Sequence, residues 1–348
     1  MRTHWALPLV LLALAACGSL ATSGSSANGF GVPVAAQASI WFHPLPAISP
    51  YPGGPPGTPG STDFDTLFTG GTWPQATART SVIGLYAGWV SSGISGAGNQ
   101  ASDQELQSIV TFLNAHNMTL ELEAPALQAT ATCGAGVEGY VPYGQTVHDL
   151  TVAYLQRLKA AGAPVGFVKV DEAYFYGTVS NEAQVCHFTV TQIAQALQSY
   201  TQLVQTIYPN AQVGDVEPVV NAYTTDPVTA IGQWHDAYKA LTGAAFPFFI
   251  ADMDFSNAAW PTLAKSMEVA THGRGMHYGI IYSGDPADVS DVQWIGKTVA
   301  RFQAYQGTGG GRPDYVLFQS WNQHPWRALP ETDPTTFTGA LDAYVVQF

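Results

Sequence analysis

The residues best suited to chemistry are carboxylates that recur near the ends of short apolar runs. Residues 165–177 read Val-Gly-Phe-Val-Lys-Val-Asp-Glu-Ala-Tyr-Phe-Tyr-Gly. Strand side chains alternate, so Val168 and Val170 share one face, and Phe167, Lys169 and Asp171 share the other, with Glu172 just past the end. Charges are rarely buried unless paired or working. A structural Lys169–Asp171 ion pair is one reading; carboxylates at the mouth of a barrel is the other. The pattern recurs. In Thr119-Leu-Glu-Leu-Glu123 the alternation aligns Glu121 with Glu123, in Val213-Gly-Asp-Val-Glu-Pro218 Asp215 with Glu217, and in Phe249-Ile-Ala-Asp-Met-Asp254 Asp252 with Asp254. In Phe318-Gln-Ser-Trp-Asn322 it aligns Gln319 with Trp321. Like charges repel and each needs a partner, and Lys169 can neutralise only part of them. A lower ring of Glu121, Lys169, Asp215 and Asp252 reads as a charge network. An upper ring of Glu123, Asp171, Glu172, Glu217 and Asp254 reads as reactive.

Paired carboxylates suit cleavage of a glycosidic bond. One stays protonated and gives its proton to the leaving oxygen, while the other attacks the sugar carbon or activates water. Glu172 and Glu217 are the first expected pair, because Glu172 lies past its strand end and Pro218 fixes where Glu217 sits. Asp171 and Asp254 are the alternative pair. Glu123, Asp252 and Gln319 are expected to contact substrate. Tyr86, Trp89, Tyr174, Tyr176, Tyr282, Trp321 and Trp326 could stack on sugar rings, with packing the competing reading for each and Trp321 the strongest platform.

These residues need a scaffold that brings strand ends together. Strand patterns fall at 39–43, 82–89, 119–124, 165–171, 212–217, 248–254, 278–283 and 315–321. Helical apolar spacing lies between them at 101–116, 146–161, 191–208, 227–241, 258–271, 289–305 and 334–345, with a weaker pattern within 64–79. Eight strand–helix units predict a single-domain (β/α)8 barrel over residues 38–348, with function at the carboxyl ends of the strands. The open doubly wound alternative would want a Gly-rich phosphate fingerprint after the first strand; residues 44–62 form a Pro/Gly-rich loop there without that fingerprint.

The chain from 39 to 348 resembles the superfamily of (β/α)8-barrel glycoside hydrolases. Strand four ending in Asp171-Glu172 resembles the acid/base position of the retaining clan typified by cellulases and β-galactosidases. Ser320-Trp321 resembles that clan's sugar-platform tryptophan. Where that clan keeps a nucleophilic glutamate on strand seven, this chain has Tyr282-Ser283-Gly284-Asp285. Lys169-Val170-Asp171 instead resembles the Lys-x-Asp nucleophile strand of the α-galactosidase clan, which implies an acid/base aspartate on strand six, Asp252 or Asp254. A carbohydrate substrate and no cofactor or metal follow from this resemblance.

Composition bounds the alternatives. Charged residues are 11%, with 12 Lys+Arg against 25 Asp+Glu, and the absence of a basic run argues against nucleic-acid binding. Residues 1–17 carry Arg2, an apolar run and Leu14-Ala15-Ala16-Cys17, which reads as an export signal resembling a lipobox, with Cys17 lipidated. Residues 18–37 read as a flexible tether, and the expected product is an extracytoplasmic monomer held to the membrane by its lipid alone. Cys133 and Cys186 are expected to form a disulfide across the loops after strands three and four. Two other enzyme readings stay open. Glu123, Asp171 or Glu172, and Glu217 resemble the Mg²⁺ triad of enolase-type barrels, so a Mg- or Ca-dependent lyase is one. A phosphodiesterase built on His43 and His187 is the other. The non-enzymatic alternative is a carbohydrate-binding lipoprotein.

Overall fold

The structure, a computed structural model, describes residues 37–46, 61–70, 72–90, 101–124, 145–181 and 187–348. All belong to one unit, Gln37–Phe348. Cys17, Cys133 and Cys186, the signal and nearly all of the tether lie outside the described residues.

Eight parallel strands close into a barrel in chain order. They are β1 (Ser39–His43), β2 (Thr80–Tyr86), β3 (Thr119–Ala124), β4 (Val165–Asp171), β5 (Gln212–Val219), β6 (Phe248–Met253), β7 (His277–Tyr282) and β8 (Tyr315–Gln319). Pairing of Trp41 with Leu317 and Phe42 with Phe318 shuts the barrel between β1 and β8. The described helices are α1 (Phe64–Thr69), α2 (Pro74–Arg79), α3 (Ala87–Val90), α4 (Asp103–His116), α5 (Gln145–Ala160), α6 (Val190–Ile207), α7 (Pro227–Thr242), α8 (Trp260–His272), α9 (Asp291–Phe302) and α10 (Phe337–Gln347). Short π-helical turns follow β4 (Phe175–Val179) and α9 (Gln303–Thr308). The expected (β/α)8 barrel is the observed fold. The main displacement is at the second strand, which starts at Thr80 and turns helical after Tyr86, so Trp89 sits on α3 rather than in the sheet.

Local signals explain the helices. Ser102 and Glu105 cap each other's backbone N–H at the start of α4, and Thr189 and Gln192 do the same for α6. The buried stripes are those the spacing predicts: Leu106, Ile109, Val110 and Leu113 on α4, and Ile193, Leu197, Tyr200 and Val204 on α6. Each such side chain stabilises the fold by about 1.5–3 kcal/mol on burial.

Two apolar regions result, one between sheet and helices and one inside the barrel. The inner one holds Trp41, Val82, Val216, Phe248, Ile250, Ile281 and Leu317. The Trp41 ring lies 4.6 Å from Phe167, 4.9 Å from Tyr315 and 5.7 Å from Phe248. This aromatic floor fills the barrel toward the strand starts, so polar groups gather toward the strand ends.

Candidate active site

The inner residues fix which side chains face inward, since every second residue follows them. His43 of β1, Tyr86 of β2, Glu121 and Glu123 of β3, Lys169 and Asp171 of β4, Asp252 of β6, and Gln319 of β8 with Trp321 beyond it all belong to the inner wall. Their phase is the one expected from the sequence.

Lys169 is fully buried at the centre of this wall. Its Nζ lies 2.6 Å from Glu123 Oε2 and 4.0 Å from Glu121 Oε1, and donates to Gln319 Oε1 at 2.5 Å. Gln319 Nε2 donates to Glu123 Oε2 at 2.5 Å and reaches the Tyr86 hydroxyl at 3.4 Å, while that hydroxyl donates to Ser320 O at 2.8 Å. Burial alone would lower the Lys169 pKa, but Glu121 and Glu123 outweigh it and hold the amine above its usual value. Lys169 is therefore a charged partner, not a free amine nucleophile.

Below Tyr86, His43 and Glu121 face each other with Nδ1 and Oε2 3.2 Å apart, off the line of a hydrogen bond. Burial, helped by Lys169, pushes the imidazole down to about 3. Burial also pushes the Glu121 carboxyl up to about 7 against the pull of Lys169. Their approach depends on Gly84, where a Cβ would stand 2.5 Å from both Glu121 Oε2 and His43 Cγ. Sequence reasoning missed this role; a glycine inside a strand is the signal for such close packing.

Asp171 ends β4 and Asp252 lies one residue before the end of β6, both only partly buried. Burial pushes the Asp252 carboxyl up to about 7; Glu123 and Asp254 add to this, and Lys169 and Arg301 oppose it. Asp254 spends Oδ1 on the backbone N–H of Ser256 at 3.0 Å and its hydroxyl at 2.6 Å, closing the turn after β6. Trp321 packs against the inner apolar cluster, half-buried.

β5 departs from expectation. Val216 is in the inner cluster, so Asp215 and Glu217 face outward, not into the mouth. Asp215 Oδ2 accepts from Trp234 Nε1 at 3.0 Å and meets His235 Nε2 at 2.9 Å, both on α7. Glu217 accepts the backbone N–H groups of Tyr174 at 2.8 Å and Phe175 at 2.9 Å and is fully buried. Burial and then Asp215 raise the Glu217 carboxyl well above its usual range, and the two N–H groups pull it back. The cause of the phase is the aromatic floor: Gly214 faces Phe248, and a Cβ there would strike the Phe248 ring. Glu217 thus cannot join Glu123 and Asp171 in an enolase-type triad. Among the described residues no group of three or more His, Cys, Asp or Glu is arranged to hold a metal ion.

Three aromatic expectations also change. The Tyr282 ring faces the helices, its hydroxyl donating to Gln306 Oε1 at 2.8 Å. Trp89 packs edge-on to Phe64 at 5.2 Å. Tyr174 stacks on Trp234 at 5.3 Å and Tyr223 at 6.1 Å. None of the three lines the inner wall. Glu172 adopts φ +48°, its N–H donating to Val216 O at 2.8 Å and its C=O accepting from Tyr176 N at 3.0 Å.

Neither the protein-family models nor the curated proteins gave a match to this chain. Solved structures do resemble it. An intracellular xylanase of Thermoanaerobacterium saccharolyticum aligns over 82% of this chain and 86% of its own, at 11% identity and TM-score 0.49. The GH53 catalytic domain of Ignisphaera aggregans aligns over 78% and 86%, at 11% identity and TM-score 0.47. The carboxyl transferase domain of Rhizobium etli pyruvate carboxylase aligns over 89% of this chain, which spans 47% of that one, at 12% identity and TM-score 0.46. Names this diverse at such identities select no reaction for this chain.

Proposed function

We propose that this chain is a glycoside hydrolase whose reacting carboxylates are Asp171 on β4 and Asp252 on β6. The observation that carries the reading is their position on the inner wall, at the end of β4 and one residue before the end of β6. Glu123 is held by Lys169 and Gln319, and Glu121 lies deep against His43. Function in such barrels sits at the carboxyl ends of the strands.

Asp252 supplies the acid. A carboxyl pushed up to about 7 keeps its proton near neutrality and can pass it to a leaving glycosidic oxygen. Asp171 supplies the base or nucleophile, in the Lys-x-Asp setting already noted. Trp321, beyond Gln319, offers an indole face for a sugar ring. This pairing replaces the Glu172–Glu217 pair, because Glu217 is on the other side of the wall.

The test is a screen of polysaccharides and aryl glycosides, followed by Asp171→Asn and Asp252→Asn. Each variant keeps its fold and melting temperature while turnover falls by about 10²–10⁴. Full activity in both variants, or no turnover of any glycoside by the wild type, sinks the proposal.

A further inference from the structure

Beyond β4 the chain must turn sharply out of the barrel, and the structure assigns the work of holding that corner to Glu217: we propose that it is a positioning residue for Asp171 and Glu172. This rests on the reading of Asp171 as a reacting group. Glu172 occupies the left-handed region at φ +48°, which is uncommon for any residue but glycine. Such a conformation persists only where its surroundings over-determine it. Here the surroundings come from β5, through its backbone and its outward carboxyl. The Glu172 N–H is tied to Val216 O at 2.8 Å. Two residues on, the carboxylate of Glu217 takes the Tyr174 and Phe175 N–H groups, one on each oxygen, at 2.8 and 2.9 Å.

The anchor is itself anchored. Tyr174 stacks nearly parallel on Trp234, at an interplanar angle of 11°, and the Trp234 indole N–H is fixed by Asp215. Tyr223 closes the other side, its ring 5.6 Å from Phe175 and its hydroxyl donating to Pro218 O at 2.9 Å. The two outward carboxylates of β5 thus act as a pair, Glu217 on the corner's backbone and Asp215 on the helix that backs it. One wall of the barrel carries Asp171 on its inside and the brace for Asp171 on its outside. Moving a reacting group by even an ångström is costly in rate, so a brace of this kind acts on turnover without touching substrate.

Glu217→Gln tests this in the full-length protein. The amide keeps one oxygen for one N–H and turns an NH₂ toward the other. Amide hydrogen exchange, read by mass spectrometry over residues 172–181, is expected to speed up at Tyr174 and Phe175 by about tenfold or more while the melting transition stays cooperative. With an active substrate, kcat falls by about tenfold, KM and the pH at which the rate declines stay put, and Glu217→Asp, which keeps both oxygens, recovers part of the loss. Unchanged exchange in Glu217→Gln overturns the proposal. So does a shift in the pH at which its rate declines, since that makes Glu217 a reacting group. If the variant does not fold, the wild type decides: slow exchange at Tyr174 and Phe175 supports the brace, and exchange as fast as in an unstructured peptide refutes it. Failure of the wild type to cleave any glycoside speaks against the hydrolase reading alone, because the exchange result stands apart from activity.

Discussion

The inner and outer faces of the barrel wall hold the same residue types and use them differently. On the inside, Glu121 and Glu123 lie beside the Lys169 ammonium group, and Asp252 feels both Lys169 and Arg301. On the outside, the Glu217 carboxyl takes two backbone N–H groups, and Asp215 Oδ2 meets the Trp234 indole N–H and His235 while its Oδ1 has no hydrogen bond. Burial raises carboxyl pKa values on both faces, Asp252 inside and Glu217 outside. What differs is the partner: inside, Glu123 meets the side chains of Lys169 and Gln319, while outside Glu217 grips the backbone after β4. In the proposed reaction the inner face reacts and the outer face holds it in place.

The largest effect that separates the two faces is removal of the inner cation. Lys169→Met leaves Glu123 and Glu121 buried without their counter-charge, and breaking a buried pair in this way costs about 3–5 kcal/mol. Thermal and urea melts should show it. The double variant Lys169→Met with Glu123→Gln should recover much of the loss, since it removes the stranded charge too. Equal stability of wild type and Lys169→Met would mean that the inner charges are solvated after all.

Next in size is a pair of glycine substitutions. Gly84→Ala puts a methyl group 2.5 Å from the His43 ring and from Glu121 Oε2, and overpacking of this kind costs about 1–3 kcal/mol. Gly296→Ala, in α9 with open space around its Cβ direction, should instead stabilise by about 0.5–1 kcal/mol. A tolerated Gly84→Ala would show that His43 and Glu121 need not sit so close.

The pH profile follows. In the proposed reaction Asp252 acts in its protonated form, and burial with Glu123 and Asp254 raises its carboxyl to about 7 against Lys169 and Arg301. Activity should therefore decline as pH rises through about 7, by tenfold for each further unit, and Asp252→Asn should abolish that limb. A flat profile from about pH 6 to about pH 9 would remove Asp252 from the acid role.

Much of this was legible in the residues. The eight units read directly from alternating periodicities. The inner phase of β3 and β4 was plain because Leu120, Leu122, Val168 and Val170 are apolar and all on the helix side. β5 offers no such guide: Val213 and Val219 face the helices and Val216 faces the barrel, so alternation alone fits either phase. What decides it is the fit of Gly214 beside Phe248, a contact between strands that no single run of residues displays. Tyr174 and Trp89 were misread for a related reason. An aromatic just past a strand end can turn in toward a ligand or back against a helix, and partners distant in sequence, Trp234 and Phe64, settle which.

The smallest expected effect is also the cleanest comparison of the faces, because it changes one oxygen on each. Tyr282→Phe removes an outward hydroxyl that donates to Gln306, whose own amide donates to Tyr344 at 3.0 Å. Loss of one buried hydrogen bond costs about 1 kcal/mol, so melting should fall slightly and KM should not move. Tyr86→Phe removes an inward hydroxyl that donates to Ser320 O and receives the long contact from Gln319. The stability cost should be similar, about 1 kcal/mol, but Gln319 also positions Lys169 and Glu123, so kinetics should change as well. Equal kinetics for the two variants would mean that the network around Lys169 is structural throughout. A raised KM in Tyr282→Phe alone would return that tyrosine to the substrate side and reverse the assignment of faces at β7.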